Sequence, residues 1–358
     1  MAIPTTTYDI ATATNPSSAL TDFTFIVDLS TMSAAWWAEV DTSDGTKGRA
    51  SKSDGTTELA CDWIDFDSTA ETGFLRVKWS GSLASTGTQV IRIYPPVAAN
   101  VSVAAADTYG SNNAYDAGWE GYYPVYGDSS TTLSDRTSHG EDGTLTTGVS
   151  FSGDKLVFAS SNSGVKLMSS KPLDGGSAFT IIVTANATNV DADRGLFYTD
   201  RHASGEPLLL WLDNAGTDHV AAWITAGSST GGLYAGAVVA AETEYDIALT
   251  WSQANDVSRM YIDGIQDTTG SFPNTSTTAA LNASDSANYT IGSSLKKFLG
   301  TMCNIQVHSV ERSAAWVAEE YSQTSDNATF WGTWTWTAGT GGGGLPIPVA
   351  MAHYRRMR

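Results

Sequence analysis

Between Gly300 and Phe330 the hydrophobic pattern of the chain changes period. Met302 to His308 reads as a strand, and Ala314 to Tyr321 follows it as one short amphipathic helix. Strand-like alternation also marks Asp22–Leu29, Leu75–Trp79 and Gln89–Tyr94, with Ser-Gly-Ser and Pro95-Pro96 as punctuation. Further on come Lys155–Phe158 and Phe179–Thr184. Leu208–Leu212 and Val220–Ile224 form a predicted hairpin turning at Asp213–Asp218. Tyr245–Trp251 and Arg259–Gly264 complete the series, the latter ending in a Tyr-Ile-Asp-Gly turn. Residues 1–20 are polar and rich in Thr, Ala and Ser, and read as an arm.

Composition narrows the classes. At 358 residues the chain has room for two domains, each large enough to bury a core. Only 16% of residues are charged, and the strand formers point to an all-β protein. The net charge of −19 argues against a nucleic-acid surface, which needs clustered Lys and Arg. No segment is long and apolar enough to span a bilayer, and Met1–Tyr8 lacks the basic and apolar regions of a Sec signal peptide. The initiating Met leads us to expect a complete gene product. Two cysteines, Cys61 and Cys303, make neither a disulfide framework nor a zinc site and are expected to be small, unbridged hydrophobes.

The closing strand and helix, the paired Tyr245–Trp251 and Arg259–Gly264 segments and the Gly-rich stretch at 135–144 together resemble laminin-G-like, concanavalin A-type jelly rolls. Such domains occur in bacterial and phage surface proteins. Residues 22–125 resemble an uncharacterised β-sandwich domain that often precedes them, although Ile93-Tyr94-Pro95-Pro96 departs from its usual continuation. The expected architecture is therefore all-β, with two β-sandwich domains, the second a concanavalin A-like jelly roll. The boundaries follow: an arm at 1–20, a sandwich at 21–126, a jelly roll at 127–336, and a Gly-rich linker with a basic tail at 337–358.

Some concanavalin-like proteins are glucanases with paired carboxylates about 5 Å apart for retaining chemistry. Glu39-Val-Asp41-Thr-Ser-Asp44 comes nearest, but it ends in Asp and lies in the first domain. Neither a Gly-x-Ser-x-Gly elbow nor a His-Glu-x-x-His helix occurs, and the chain is expected to be non-enzymatic. The five histidines are scattered and read as surface or turn residues. The resemblance implies a calcium loop at Asp135, Ser138 and Asp142, with oxygen ligands suited to a hard cation. The carboxylate that faces this loop in the family is replaced by Cys303 and Asn304. A Gly-rich turn whose Asp bonds its own backbone is the alternative.

Trp211 and Trp223 sit out of phase with Leu210, Leu212 and Ile224, so both indoles belong on one sheet face. Two indoles there would stack on sugar rings, with Asp213, Arg201 and His202 as polar neighbours. Core packing is the competing fate, since the chain has 12 tryptophans. At the C-terminus, Tyr354, Arg355, Arg356 and Arg358 form a basic segment suited to an acidic neighbour.

The expected function is a non-enzymatic bacteriophage virion surface protein, as a head decoration, fibre or tail-associated component. Its partners would be other virion proteins, copies of itself, or a cell-surface glycan, and it would assemble in the host cytoplasm. The rival is a secreted bacterial polysaccharide-binding protein or glycosidase accessory module.

Overall fold

The computed structural model describes residues 7–338, apart from 14, 88, 129–130, 161–163, 191, 200–206, 214–217, 256, 271–278, 285–286 and 293–295. It is nearly all β, and its sheets are antiparallel in every described pairing. From residue 119 onward two large sheets face each other. One runs in the order Thr132–Leu133, Gly143–Leu145, Val165–Leu167, Tyr289–Ile291, Arg194–Thr199, Leu208–Asp213, His219–Ala226 and Ser229–Val238. The other is centred on Ala178–Ala187, flanked by Glu244–Ser252 and Gly300–His308. Alternation aims Ile181, Val183, Leu249 and Val307 of one sheet at Leu208, Leu210, Ala222 and Ile224 of the other, which makes a continuous apolar core.

Local chemistry explains the turns that the pattern predicted. Ile262 pairs with Ile265, leaving Asp263 and Gly264 as a two-residue loop at φ 51° and 72°. Positive φ at both positions matches strand twist and suits Asp-Gly. The helix Ala314–Ser325 starts at Ser313, whose hydroxyl accepts from Trp316 N at 3.2 Å. It runs one turn beyond the expected Tyr321. A second helix, Asn327–Trp331, follows directly, capped by Asp326.

The N-terminal region is a seven-stranded sheet in the order Thr335–Ala338, Thr7–Ala13, Gln89–Tyr94, Arg49–Lys52, Glu58–Asp67, Thr72–Lys78 and Thr24–Asp28, with a short Leu20–Thr21 and Ser82–Leu83 ribbon beside it. Two parts of this arrangement differ from the expected boundaries. Residues 7–13, expected in an arm, form a strand inside the sheet, and Thr335–Ala338 returns from beyond the second domain to pair with it. The two helices also pack on this region, since Trp316, Phe330 and Trp331 share a core with Phe23, Phe25 and Trp79.

The edge strand Thr24–Asp28 shows why the helices sit there. Ile26 N donates to Gln323 Oε1 at 2.8 Å, and Gln323 Nε2 donates to Thr24 O at 3.1 Å. Asn327 Nδ2 and Trp331 Nε1 donate to Ile26 O at 2.8 and 2.7 Å, while Asp28 N donates to Asn327 Oδ1 at 2.9 Å. Gln323 comes from the last turn of the first helix, and Asn327 and Trp331, four apart, share a face of the second. Their side chains stand in for a missing neighbouring strand and blunt an otherwise open sheet edge.

Candidate functional site

The aromatic face lies on the jelly-roll sheet opposite the sandwich core. Trp211 pairs with Ala221 across the hairpin, and Ala221 pairs with Tyr234 on the next strand. Leu209 pairs with Trp223, which pairs in turn with Gly232. A small residue opposite each indole leaves room for the ring. The Trp223 indole lies 3.4 Å from where a Cβ on Gly232 would stand. Trp211 and Trp223 meet edge to face at 5.3 Å between centroids, and Trp211 and Tyr234 at 6.4 Å.

The two indoles are not equivalent. Trp211 is only 2% exposed, whereas Trp223 is half-buried and Tyr234 is 38% exposed. Part of the difference comes from Lys296, whose Nζ stands 4.3 Å from the Trp211 centroid and 6.0 Å from that of Trp223. Gly195 N donates to Lys296 O at 2.5 Å, and Asp193 pairs with the Lys296 ammonium, so the cation is held from two sides. Trp223 and Tyr234 therefore offer the accessible ring surface, and Trp211 supports them from beneath. Asp213 is placed by its backbone alone, opposite His219. Arg201 and His202 lie outside the described residues, as do Tyr354, Arg355, Arg356 and Arg358. Tyr234 and Lys296 had no signal in the hairpin pattern, which stops at Ile224.

The loop expected to hold calcium is occupied by its own donors. Asp135 Oδ1 accepts from Tyr122 N at 3.1 Å and Thr137 N at 2.9 Å. Its Oδ2 accepts from Thr137 Oγ1 at 2.9 Å and Glu141 N at 3.0 Å. A carboxylate has about four lone-pair sites, and all are used here. Asp142 Oδ1 accepts from Asp135 N at 2.9 Å, and Ser138 makes no contact with either carboxylate among the described hydrogen bonds. Among the described residues no group of three His, Cys, Asp or Glu side chains is arranged to hold a metal. The arrangement is a turn in which Asp135 bonds backbone, so it departs from the ion-binding loop that the resemblance implied. Arg136, between these residues, reaches the first region instead: Nη2 donates to Asp62 Oδ1 at 2.6 Å, and Tyr115 OH donates to Asp62 Oδ2 at 2.7 Å.

A second set of polar side chains lies between the two regions. Gln306 Nε2 and Gln323 Nε2 donate to opposite oxygens of Glu320 at 2.8 and 2.6 Å. His308 is fully buried rather than at the surface, with Trp119 at 4.4 Å and Trp316 at 5.2 Å between ring centroids. Arg312 donates to its Nδ1 at 3.3 and 3.2 Å, and because guanidinium cannot accept, Nε2 carries the proton and faces Gln306 Oε1 at 3.2 Å. Burial, then Arg312 and Arg76, hold the His308 pKa well below its ordinary value.

Next to this network a cleft of about 590 Å³ opens between Thr24–Asp28, the outer sheet face and the two helices. Asp246, 7% exposed, lines it and accepts from Thr184 Oγ1 at 3.0 Å. Burial pushes its pKa up to about 7, opposed by Thr184 and reinforced by Glu320 and Asp263. Asn304, at φ 47° on a strand irregularity, is turned toward Asp246, yet its buried Nδ2 closes no hydrogen bond. Cys303 lines the same cleft as a half-buried free thiol, its pKa pushed up to about 12 by burial; Cys61 is a buried free thiol. The glucanase-like carboxylates lie elsewhere: Asp44 caps a turn through Thr46 N at 3.1 Å, and Asp41 accepts from Ala98 N.

A family model described as the concanavalin A-like lectin/glucanases superfamily matches residues 159–318. No curated protein matches the chain. Solved structures to which the chain shows similarity include the receptor-binding domain of a botulinum neurotoxin C/D mosaic serotype, at 10% identity and TM-score 0.44, covering 57% of this chain and 51% of that one. A Trypanosoma rangeli sialidase bound to 2,3-difluorosialic acid aligns at 13% identity and TM-score 0.45, covering 59% of this chain and 34% of that one. Domain 4 of the extracellular GH43 arabinanase AbnA of Geobacillus stearothermophilus, bound to arabinotriose, aligns at 15% identity and TM-score 0.46, covering 57% and 98%. The chain thus spans about half of the toxin fragment and a third of the sialidase. The two facing sheets, the closing strand Gly300–His308 and the family match together identify residues 159–318 as a concanavalin A-like, laminin-G-like jelly-roll domain, preceded by a β-rich region.

Proposed function

We propose that this chain is a non-catalytic, glycan-recognising surface protein of a bacteriophage particle, a head decoration, fibre or tail-associated component working beside copies of itself or other virion proteins. The observation that supports binding is the Trp223–Tyr234 surface, where accessible rings sit on a buried Trp211. Sugar C–H faces stack on such rings, and a ring already fixed by packing loses little entropy on binding. The paired Lys296 and Asp193 at its border supply a donor and an acceptor for ring hydroxyls. The particle setting is supported by the resemblance to surface proteins and by a framework in which helices from the end of the jelly roll complete the N-terminal sheet edge. Purified particles analysed by mass spectrometry, with a glycan array probed by the full chain, test both halves. The expected result is the chain in particles and selective glycan binding that Trp223→Ala removes. Absence from particles would overturn the setting, and a blank array would overturn the recognition.

A further inference from the structure

The cleft beside Asp246 has a charge that its surroundings do not neutralise. Six carboxylates line it, those of Asp28, Asp154, Glu244, Asp246, Asp263 and Asp326, against the one cation Lys155. Lys155 is already paired with Glu244. One further observation marks the cleft as prepared for a donor. Asp246 is more than nine-tenths buried, and among the described residues its Oδ1 receives no hydrogen bond, while Oδ2 receives only Thr184 Oγ1. Beside it the Asn304 amide, whose Nδ2 closes no hydrogen bond, is turned toward Asp246 and leaves the carboxylate as the acceptor for an entering donor. A carboxylate oxygen left free to accept inside a cleft is what a charged donor entering it would use.

The remaining wall is aromatic. Phe74 and Tyr126 stack at 3.9 Å between centroids, and Tyr321 lines the same space from the helix side. Carboxylates with aromatic faces are the surroundings that a guanidinium favours, since its planar fork bonds carboxylates bidentately and its face stacks on rings. An ammonium can sit over a ring but lacks the planar fork that bonds carboxylates bidentately while stacking.

We propose that this cleft receives the arginine-rich segment Tyr354–Arg358 of a second copy of this chain. Three of its five residues are Arg, in a chain whose net charge is −19, so charge complementarity singles this segment out. The 20 residues after Ala338 reach up to about 70 Å when extended, enough to bridge neighbouring copies. Gly341–Gly344 adds slack at the start of that span. The inference rests on the reading that the chain works beside copies of itself, and it names the surface that would join them.

Carbodiimide cross-linking of the full chain carrying Arg356→Lys tests it, using an equal mixture of ¹⁴N- and ¹⁵N-labelled protein. The zero-length reagent joins the introduced lysine only to a carboxylate in direct contact. The expected product links it to Asp154, Asp263 or Asp326 in mixed-isotope pairs. Adding Asp154→Asn and Asp246→Asn should lower the yield at least about tenfold, the effect that losing even one charge-assisted bond implies. Asp154→Asn alone, at an exposed position, should lower it measurably if the double variant folds poorly. Links confined to same-isotope chains would overturn the second-copy assignment. Links spread over other carboxylates, or none at all, would overturn the cleft. If the chain still entered purified particles in that last case, the proposed function would stand while this inference fell.

Discussion

Arg76 and Glu320, 244 positions apart, close a bidentate ion pair at 3.2 and 2.8 Å with both side chains out of solvent. Tyr122 OH accepts from the same guanidinium at 3.2 and 2.9 Å, and Tyr122 and Trp119 lie under it. Burial alone would lower the Arg76 pKa, but Glu320 and then Tyr122 more than offset it, so the net direction is up. The pair joins a strand of the N-terminal sheet to the helix that ends the jelly roll, and its worth lies in being complete.

Removing one partner should therefore be severe. Arg76→Ala leaves a buried carboxylate unpaired and is expected to cost about 3–5 kcal/mol of stability. Urea midpoints measure this. The double variant Arg76→Met with Glu320→Met should recover only part of the loss, because the charges go but Gln306 and Gln323 each lose a buried acceptor. A single variant within about 0.5 kcal/mol of the parent would contradict the buried pairing.

Asp246 makes stability depend on pH in a defined direction. Its folded pKa of about 7 lies above the ordinary aspartate value of 3.8. Between those values the folded chain holds a proton that the unfolded chain has released. This contribution is fully present below the lower value and is lost as pH rises through the upper one, at about 1.4 kcal/mol per unit of separation. His308 acts oppositely, because its lowered folded pKa removes stability as pH falls below its ordinary value of 6.5. Asp246→Asn removes only the first effect. The difference in melting temperature between the variant and the parent should therefore grow in the variant's favour from pH 5 to pH 8; a constant difference would count against the raised pKa.

Much of this fold was legible from periodicity alone. The Leu208–Asp213 and His219–Ala226 hairpin, the Asp263-Gly264 turn and the helix starting after Ser313 all follow local rules. The strand Thr7–Ala13 did not, because its inward positions are Asp9, Ala11 and Ala13, a weakly apolar face. Asp9 is buried there because Ser33 donates to it through N at 2.7 Å and Oγ at 2.8 Å, a partner 24 positions away. The same holds for His308, which reads as a lone polar residue until Trp119 and Trp316 close over it. At the aromatic face, alternation assigned Trp211 and Trp223 to one side, but the cover over Trp211 comes from Lys296, 85 positions on, with no local pattern to announce it.

Calcium should leave the Asp135 loop indifferent. Four donors already fill that carboxylate, so an ion would have to displace them before gaining any ligand. Melting temperatures with chelator and with millimolar calcium should agree within about 1 °C, whereas Asp135→Ala should lower stability by about 1–3 kcal/mol through its unsatisfied donors. A calcium-dependent rise abolished by that substitution would restore the metal site.

The indoles should separate by experiment into a support and a contact. Trp211→Ala opens a cavity beneath Trp223 and is expected to cost about 3–5 kcal/mol. Trp223→Ala, at a half-buried position, should cost less and leave the sandwich core intact. Chemical denaturation of both variants decides the order, and equal losses would contradict the assignment of distinct roles.

The central claim, recognition of glycan by the Trp223–Tyr234 surface, is tested most directly by calorimetric titration of the parent, Trp223→Ala and Tyr234→Ala with the best glycan from the array. We expect saturable binding by the parent, with affinity falling at least about tenfold in each variant, the loss of one stacked ring. Unchanged affinity in both variants would contradict it.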